Sequence, residues 1–189
     1  MTSPPPESLA GLSLAEIVTF AAKGRIAPVE SWNPSFCGDS AMRIMSDGTW
    51  LHEGTPITRP SMVRLFSSVL RRETDGRHVL VTPAEKLEIA VDDAPFLVTD
   101  MISEGAGAER HLAFRTNVGD LVVAGAGNPL TLEDRGQGAR LYLHVRGQLD
   151  AMVNRAVYYD LANLAIEEAS ASGSPIGLWS EGVFFPMTA

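Results

Sequence analysis

Two stretches of this chain match without gaps: ITRPSMVRLFSSVLRRE, beginning at Ile57, and VNRAVYYDLANLAIEEA, beginning at Val153. Arg59 meets Arg155, Met62 meets Tyr158, Leu65 meets Leu161, Phe66 meets Ala162 and Leu70 meets Ile166. The shared phase is that of an amphipathic helix, which any two such helices would show. A strand-like segment opening on Ala and Arg, AMRIM or ARLYL, precedes each copy, and together with the matched arginine it favours a true duplication. A duplication restricts the fold to two small α+β units, each an antiparallel sheet closed by a helix and each needing its neighbour to bury its apolar surface. The 189 residues, 45% hydrophobic and 20% charged, suffice for two such cores.

The remaining pattern is read from turn residues and periodicity. Ser13 and Glu16 form a capping box for a short helix with Leu14, Ile17, Val18 and Ala21 on one face and Gly24 as its stop. Ser46-Asp47-Gly48 between MRIM and TWLHEG predicts a hairpin. After Pro60, the residues Met62, Leu65, Phe66, Val69 and Leu70 predict one buried helix face, with Arg64, Arg71 and Arg72 opposite. Asp75-Gly76 turns the chain into HVLVTP, and KLEIAV, FLVTDMI, HLAFRT, DLVVAG and ARLYLHV read as an antiparallel meander. A long helix is expected from Leu149 to about Ala169, followed by an apolar tail that docks on the body. The expected divisions are an N-terminal extension with its short helix (1–31), an N-terminal α+β domain (32–85) and a C-terminal α+β domain (86–189).

Fifteen basic residues against 23 acidic give a net charge of −8, which opposes attraction to nucleic acid or to anionic lipid. No segment approaches a membrane span, and no basic leader precedes an apolar run. Cys37 is the only cysteine, so an intrachain disulfide is impossible and a reducing, cytoplasmic setting fits.

Catalytic and cofactor signatures are missing from the sequence. The Gly-x-Gly strings at Gly105, Gly125 and Gly136 lack the third glycine of a dinucleotide fingerprint, and neither a P-loop nor a nucleophile elbow occurs. His52, His78, His111 and His144 never fall at ligand spacing, so no metal and no cofactor is expected. Asp92 and Asp93 are adjacent, and neighbouring strand residues face opposite ways, so the pair reads as a turn.

One basic surface stands out on this acidic chain: Arg59, Arg64, Arg71, Arg72 and Arg77 against Glu73 and Asp75. It reads either as a solvated helix face or as an anion site built on guanidinium donors. Polar residues at strand ends and helix starts make the candidate ligand site: Trp50, His52, Arg59, Lys86, Arg115 and Asn117. Trp50 as the plug of a small core and Lys86 as a surface cation are the structural alternatives.

Gly48-Thr49-Trp50, Glu53-Gly54, Pro56-Ile57, Arg59, Leu65-Phe66, the Val-Thr-Pro-x-Glu-Lys at 81–86, Asp93-Ala94-Pro95-Phe96 and Arg115-Thr116-Asn117 form a long ordered string. On it, the chain closely resembles the bacterial domain of unknown function family 1285, from about Trp32 to the terminal helix and the final Trp-Ser-x-Gly-x-Phe-Phe-Pro. The resemblance implies a duplicated two-domain α+β protein with a pleckstrin-homology-like C-terminal roll, a ligand site between the domains and a part in signal transduction. It assigns no catalytic residue. The expected function is a non-enzymatic regulatory module that binds a small polar or anionic ligand between its units and signals to a protein partner. A hydrolase with an unrecognised site and a ligand-free adaptor are the alternatives.

Overall fold

The computed structural model describes residues 27–35 and 37–188. The helix expected at 13–24 lies outside them. The chain builds two six-stranded sheets and a terminal two-stranded ribbon. The first sheet contains β1 (Cys37–Ile44), β2 (Trp50–His52), β3 (Thr55–Pro56), β4 (Leu70–Arg72), β5 (His78–Val81) and β6 (Lys86–Val91), with α1 (Pro60–Ser68) between β3 and β4. The second contains β7 (Phe96–Glu104), β8 (His111–Thr116), β9 (Leu121–Val123), β10 (Leu130–Asp134), β11 (Ala139–Arg146) and β12 (Leu149–Val153). It is followed by α2 (Arg155–Ser172) and the ribbon β13 (Gly177–Ser180) with β14 (Val183–Pro186).

Both sheets are mixed rather than antiparallel. Across the first the order is β3-β2-β1-β6-β5-β4, and read from its far edge the second is β9-β8-β7-β12-β11-β10. Each is a pair of three-stranded meanders joined by one parallel contact between the unit's first and last strands, β1 with β6 and β7 with β12. The two units therefore share one topology. The strand correspondence runs Cys37 with Phe96, Leu70 with Leu130 and Lys86 with Leu149.

That correspondence displaces the helix match read from the sequence. α1 leaves an edge strand inside its unit, whereas α2 leaves the central strand β12 after its sheet is complete. The two helices are not equivalent elements, so their common phase is helical periodicity alone. The second helix also begins at Arg155, not Leu149, because Leu149–Val153 is drawn into the parallel contact with β7. Asn154 caps it, its side-chain oxygen accepting from the Val157 amide at 2.8 Å, and Gly173 ends it in a left-handed conformation. The break between the sheets falls between Val91 and Phe96 rather than after residue 85, since β6 completes the first sheet.

The first helix stops at Ser68, and Leu70, Arg71 and Arg72 enter β4, where Leu70 pairs with Leu80. The expected buried face is therefore divided. Leu70 is buried in the sheet core, Val63, Phe66 and Val69 pack partly against it, and Met62 and Leu65 face outward at 38% and 62% exposure.

One apolar core runs through both units. Ile44, Trp50 and Leu70 of the first meet Phe96, Phe114, Leu141 and Leu143 of the second. α2 adds Val157, Leu161 and Ala165, and the tail docks as expected through Leu178, Phe185 and Met187. Ala27, Val29 and Trp32 cover Val79 and Val81 separately, pinned by Arg71, whose guanidinium donates to the Val29 and Trp32 carbonyls at 2.6 and 2.7 Å. No helix among the described residues is long and apolar enough to cross a membrane.

Candidate functional site

The six candidate ligand residues do not form one site. Trp50 is 2% exposed and belongs to the core, with its indole Nε1 buried and without a hydrogen-bond partner. Lys86 pairs with Cys37 at the start of β1, whereas Trp50 pairs with Ile44 at its end. At ~3.3 Å per residue those ends are roughly 20 Å apart. Lys86 instead stands 3.7 Å from Glu73, which also accepts from Arg71. His52 and Arg59 are exposed, Arg59 as the residue capping α1 without a side-chain bond.

Asn117 serves as a latch between the units. Its side-chain oxygen accepts from the Leu97 amide at 3.0 Å and its amide donates to the Gly48 carbonyl at 3.2 Å. Arg115 lies two residues earlier in β8, opposite Asp100 across the β7–β8 ladder, with one guanidinium nitrogen buried and without a hydrogen-bond partner. The basic surface read from the sequence also disperses. Arg71 is buried with Glu73, Arg77 pairs with Asp75 and Glu88, and only Arg72 of its strand residues turns toward the other unit.

Two clefts open between the units, and the peptide joining the units lines the smaller one through Asp93 and Pro95. Asp93 on that peptide has a side chain only 3% exposed and accepts from the Tyr142 hydroxyl and the Arg140 guanidinium, each at 2.8 Å. Arg140 lines the larger cleft and Asp93 the smaller. Burial, helped by the Asp93 bond, pushes the Tyr142 phenol up to about 12, so it stays a donor at neutral pH.

The larger cleft holds about 640 Å³. The first unit contributes Ser46 and Asp47 from its hairpin, and the second contributes Arg140, Asn154, Arg155 and Tyr158 over an apolar floor that includes Leu97 and Met152. Arg155 is exposed and makes no ion pair with another described residue. Its neighbours Tyr158 and Tyr159 meet edge to face at 6.2 Å.

The smaller cleft holds about 280 Å³ and, Pro95 apart, is lined by polar residues. Arg72 and His78 form the wall from the first unit; Glu133, Arg135, Gln148 and Asp150 form the wall from the second. Arg135 bridges Glu133 at 2.9 Å and Asp150 at 2.8 Å while stacking over the Tyr142 ring at 3.8 Å. Burial, with Arg72 beside it, lowers His78 to about 4, so its imidazole is neutral at pH 7. Among the described residues no group of histidine, cysteine and carboxylate side chains could hold a metal ion.

Sequence reading missed the residues that converge here because they come from six strands, the turns between strands, one helix and the linking peptide. Asp93 and Arg72 carried legible signals, the first through Asp-Ala-Pro-Phe and the second through the basic surface between 59 and 77. The chain bends at Asp92 and Asp93, and the bend sets the Asp93 carboxylate against Tyr142 and Arg140.

The comparisons with known proteins agree with this division. The model of "Domain of unknown function (DUF1285), N-terminal domain" matches residues 27–94, and that of the DUF1285 C-terminal domain matches residues 95–187. The chain belongs to the DUF1285 family. A crystal structure of a DUF1285 protein from Silicibacter pomeroyi DSS-3 is 45% identical, with a TM-score of 0.78, over 92% of this chain and 94% of that one. A second DUF1285 structure, from Shewanella baltica OS155, is 27% identical with a TM-score of 0.53 over 66% of this chain and 92% of that one. No curated protein matches the sequence. The boundary between the two DUF1285 domains, at 94–95, falls on the same linking peptide that carries Asp93.

Proposed function

We propose that this DUF1285 chain is a non-enzymatic, cytoplasmic regulatory module that binds a small anionic ligand in the larger cleft between its two units. The observation that carries the reading is Arg155, a guanidinium without an ion-pair partner among the described residues, facing a cleft of ligand size beside Tyr158. Guanidinium donors fit carboxylate or phosphate bidentately, and the aromatic wall supplies contact area. A ligand touching Arg140 as well reaches the ion pair to Asp93 and so the peptide between the units, a route by which occupancy is passed to a protein partner. The lone thiol of Cys37, exposed and free, fits a reducing compartment.

The shared topology supports descent of both units from one ancestral unit of two meanders, with α1 and α2 as later and separate additions. A sheet followed by a long helix that packs back on it also fits a pleckstrin-homology-like roll for the C-terminal unit.

A thermal-shift screen of nucleotides, organic acids and sugars tests the ligand reading, because a ligand at a hundred times its Kd stabilises by ~2.7 kcal/mol. At least one anion should stabilise the wild-type chain and lose that effect in Arg155→Ala and Tyr158→Ala. Hydrolysis is the second reading, favoured by His78 converging with Asp93 and Asp150 in the smaller cleft. Turnover of a generic ester or phosphoester that vanishes in His78→Gln would establish it over the first.

A further inference from the structure

The smaller cleft is charged in a way that an anion would not satisfy. On its first wall Arg72 makes only a 3.4 Å contact to the Gly76 carbonyl and no ion pair with another described residue. On its second wall Arg135 is shared by two carboxylates, Glu133 and Asp150, the latter also 3.2 Å from the His144 imidazole, so the carboxylates outnumber the guanidinium by one. Asp93 adds none, since Arg140 matches it. The walls thus carry opposite unmatched charges, and each belongs to a different unit. An anion would meet Glu133 and Asp150, and a simple cation would meet Arg72. A molecule with both charges at its two ends meets neither penalty.

We propose that this cleft is a second binding site, for a small zwitterion of the amino-acid class, with its carboxylate on Arg72 and its ammonium between Glu133 and Asp150. The volume, about 280 Å³, lies just below the usual range for drug-sized pockets and fits a ligand of that size. The two remaining polar groups agree. Gln148 offers an amide from the second wall, and His78, neutral between Arg72, Arg135 and Asp150, offers a ring N–H without adding charge. Because the two charged ends are held by different units, occupancy adds a bridge between them beside the linking peptide that carries Asp93. This site is separate from the larger cleft and does not depend on the function proposed for it.

Isothermal titration of the full chain with the free amino acids, their N-acetyl derivatives and their methyl esters tests this. At least one free amino acid should bind with a Kd below about 1 mM, and blocking either its amine or its carboxylate should weaken it about tenfold or more, the equivalent of one charge-assisted contact. Arg72→Ala and Glu133→Gln should weaken it similarly, while Arg155→Ala leaves it unchanged. If Arg72→Ala does not fold, the blocked derivatives decide the matter on the wild-type chain. The proposal is overturned if no amino acid binds at 10 mM, if the blocked forms bind as well as the free ones, or if Arg155→Ala removes the binding and so places it in the larger cleft.

Discussion

Tyr142 donates its hydroxyl to the Asp93 carboxylate across 2.8 Å, and that bond joins the second sheet to the peptide linking the two units. Both side chains are buried, and Arg140 supplies the counter-charge. Tyr142→Phe should cost about 1–3 kcal/mol, the range for losing a bond to a charged group. Arg140→Ala should cost more, about 3–5 kcal/mol, because it leaves Asp93 buried without a counter-charge. Urea unfolding of both variants checks the order; a smaller loss for Arg140→Ala would show that Asp93 is hydrated.

His78 makes stability depend on acid. The unfolded imidazole takes a proton near pH 6.5, but the native one only near about 4. Its contribution is complete above the first value and is lost as the pH falls through the second, because the unfolded chain binds the proton first. His78→Gln should flatten the pH dependence of the urea midpoint between pH 7 and 4. A variant with the same slope as the wild type would assign the acid sensitivity to carboxylates.

Gly48 should reject any side chain. Its φ is +84°, and an added Cβ would lie 2.7 Å from the Asn117 amide nitrogen that the latch holds in place. Gly48→Ala should destabilise by roughly 1–2 kcal/mol through left-handed strain, before the clash is counted. In Asn117→Ala the clash is gone, so the cost of Gly48→Ala should shrink in the double variant, which a double-mutant cycle reads directly.

The run from α1 into β4 supplies a contrast between two residues six positions apart. Leu65, 62% exposed, should tolerate Leu65→Ser within about 0.5 kcal/mol. Arg71, 7% exposed and bonded to two carbonyls and Glu73, should lose at least about 2 kcal/mol as Arg71→Ala, since the Val29 and Trp32 carbonyls lose their donor. Comparable losses at the two positions would mean that α1 buries its apolar face after all.

Local chemistry was legible in the sequence wherever a few neighbouring residues decide the outcome. The Ser46-Asp47-Gly48 turn, the strands at KLEIAV, HLAFRT and ARLYLHV, the start of α1 after Arg59 and the docked tail follow from turn residues and periodicity. The two-unit architecture was legible too, though for the wrong reason. Phase equated two helices, whereas the repeat lies in strand order. Strand order depends on which edges pair, and the parallel contacts β1–β6 and β7–β12 join segments separated by whole meanders. The same limit applies to the candidate site. Local sequence determined that Asp93 lies between strands, that Arg72 belongs to a basic run and that Arg155 lies in a helix; only tertiary structure decided that this helix begins at Arg155 and that these charges line two clefts between the units. Periodicity reports which face of an element is apolar, but the partner of each polar group is chosen by packing between elements distant in the chain, and that choice converted Trp50 and Asn117 from ligand candidates into core and latch.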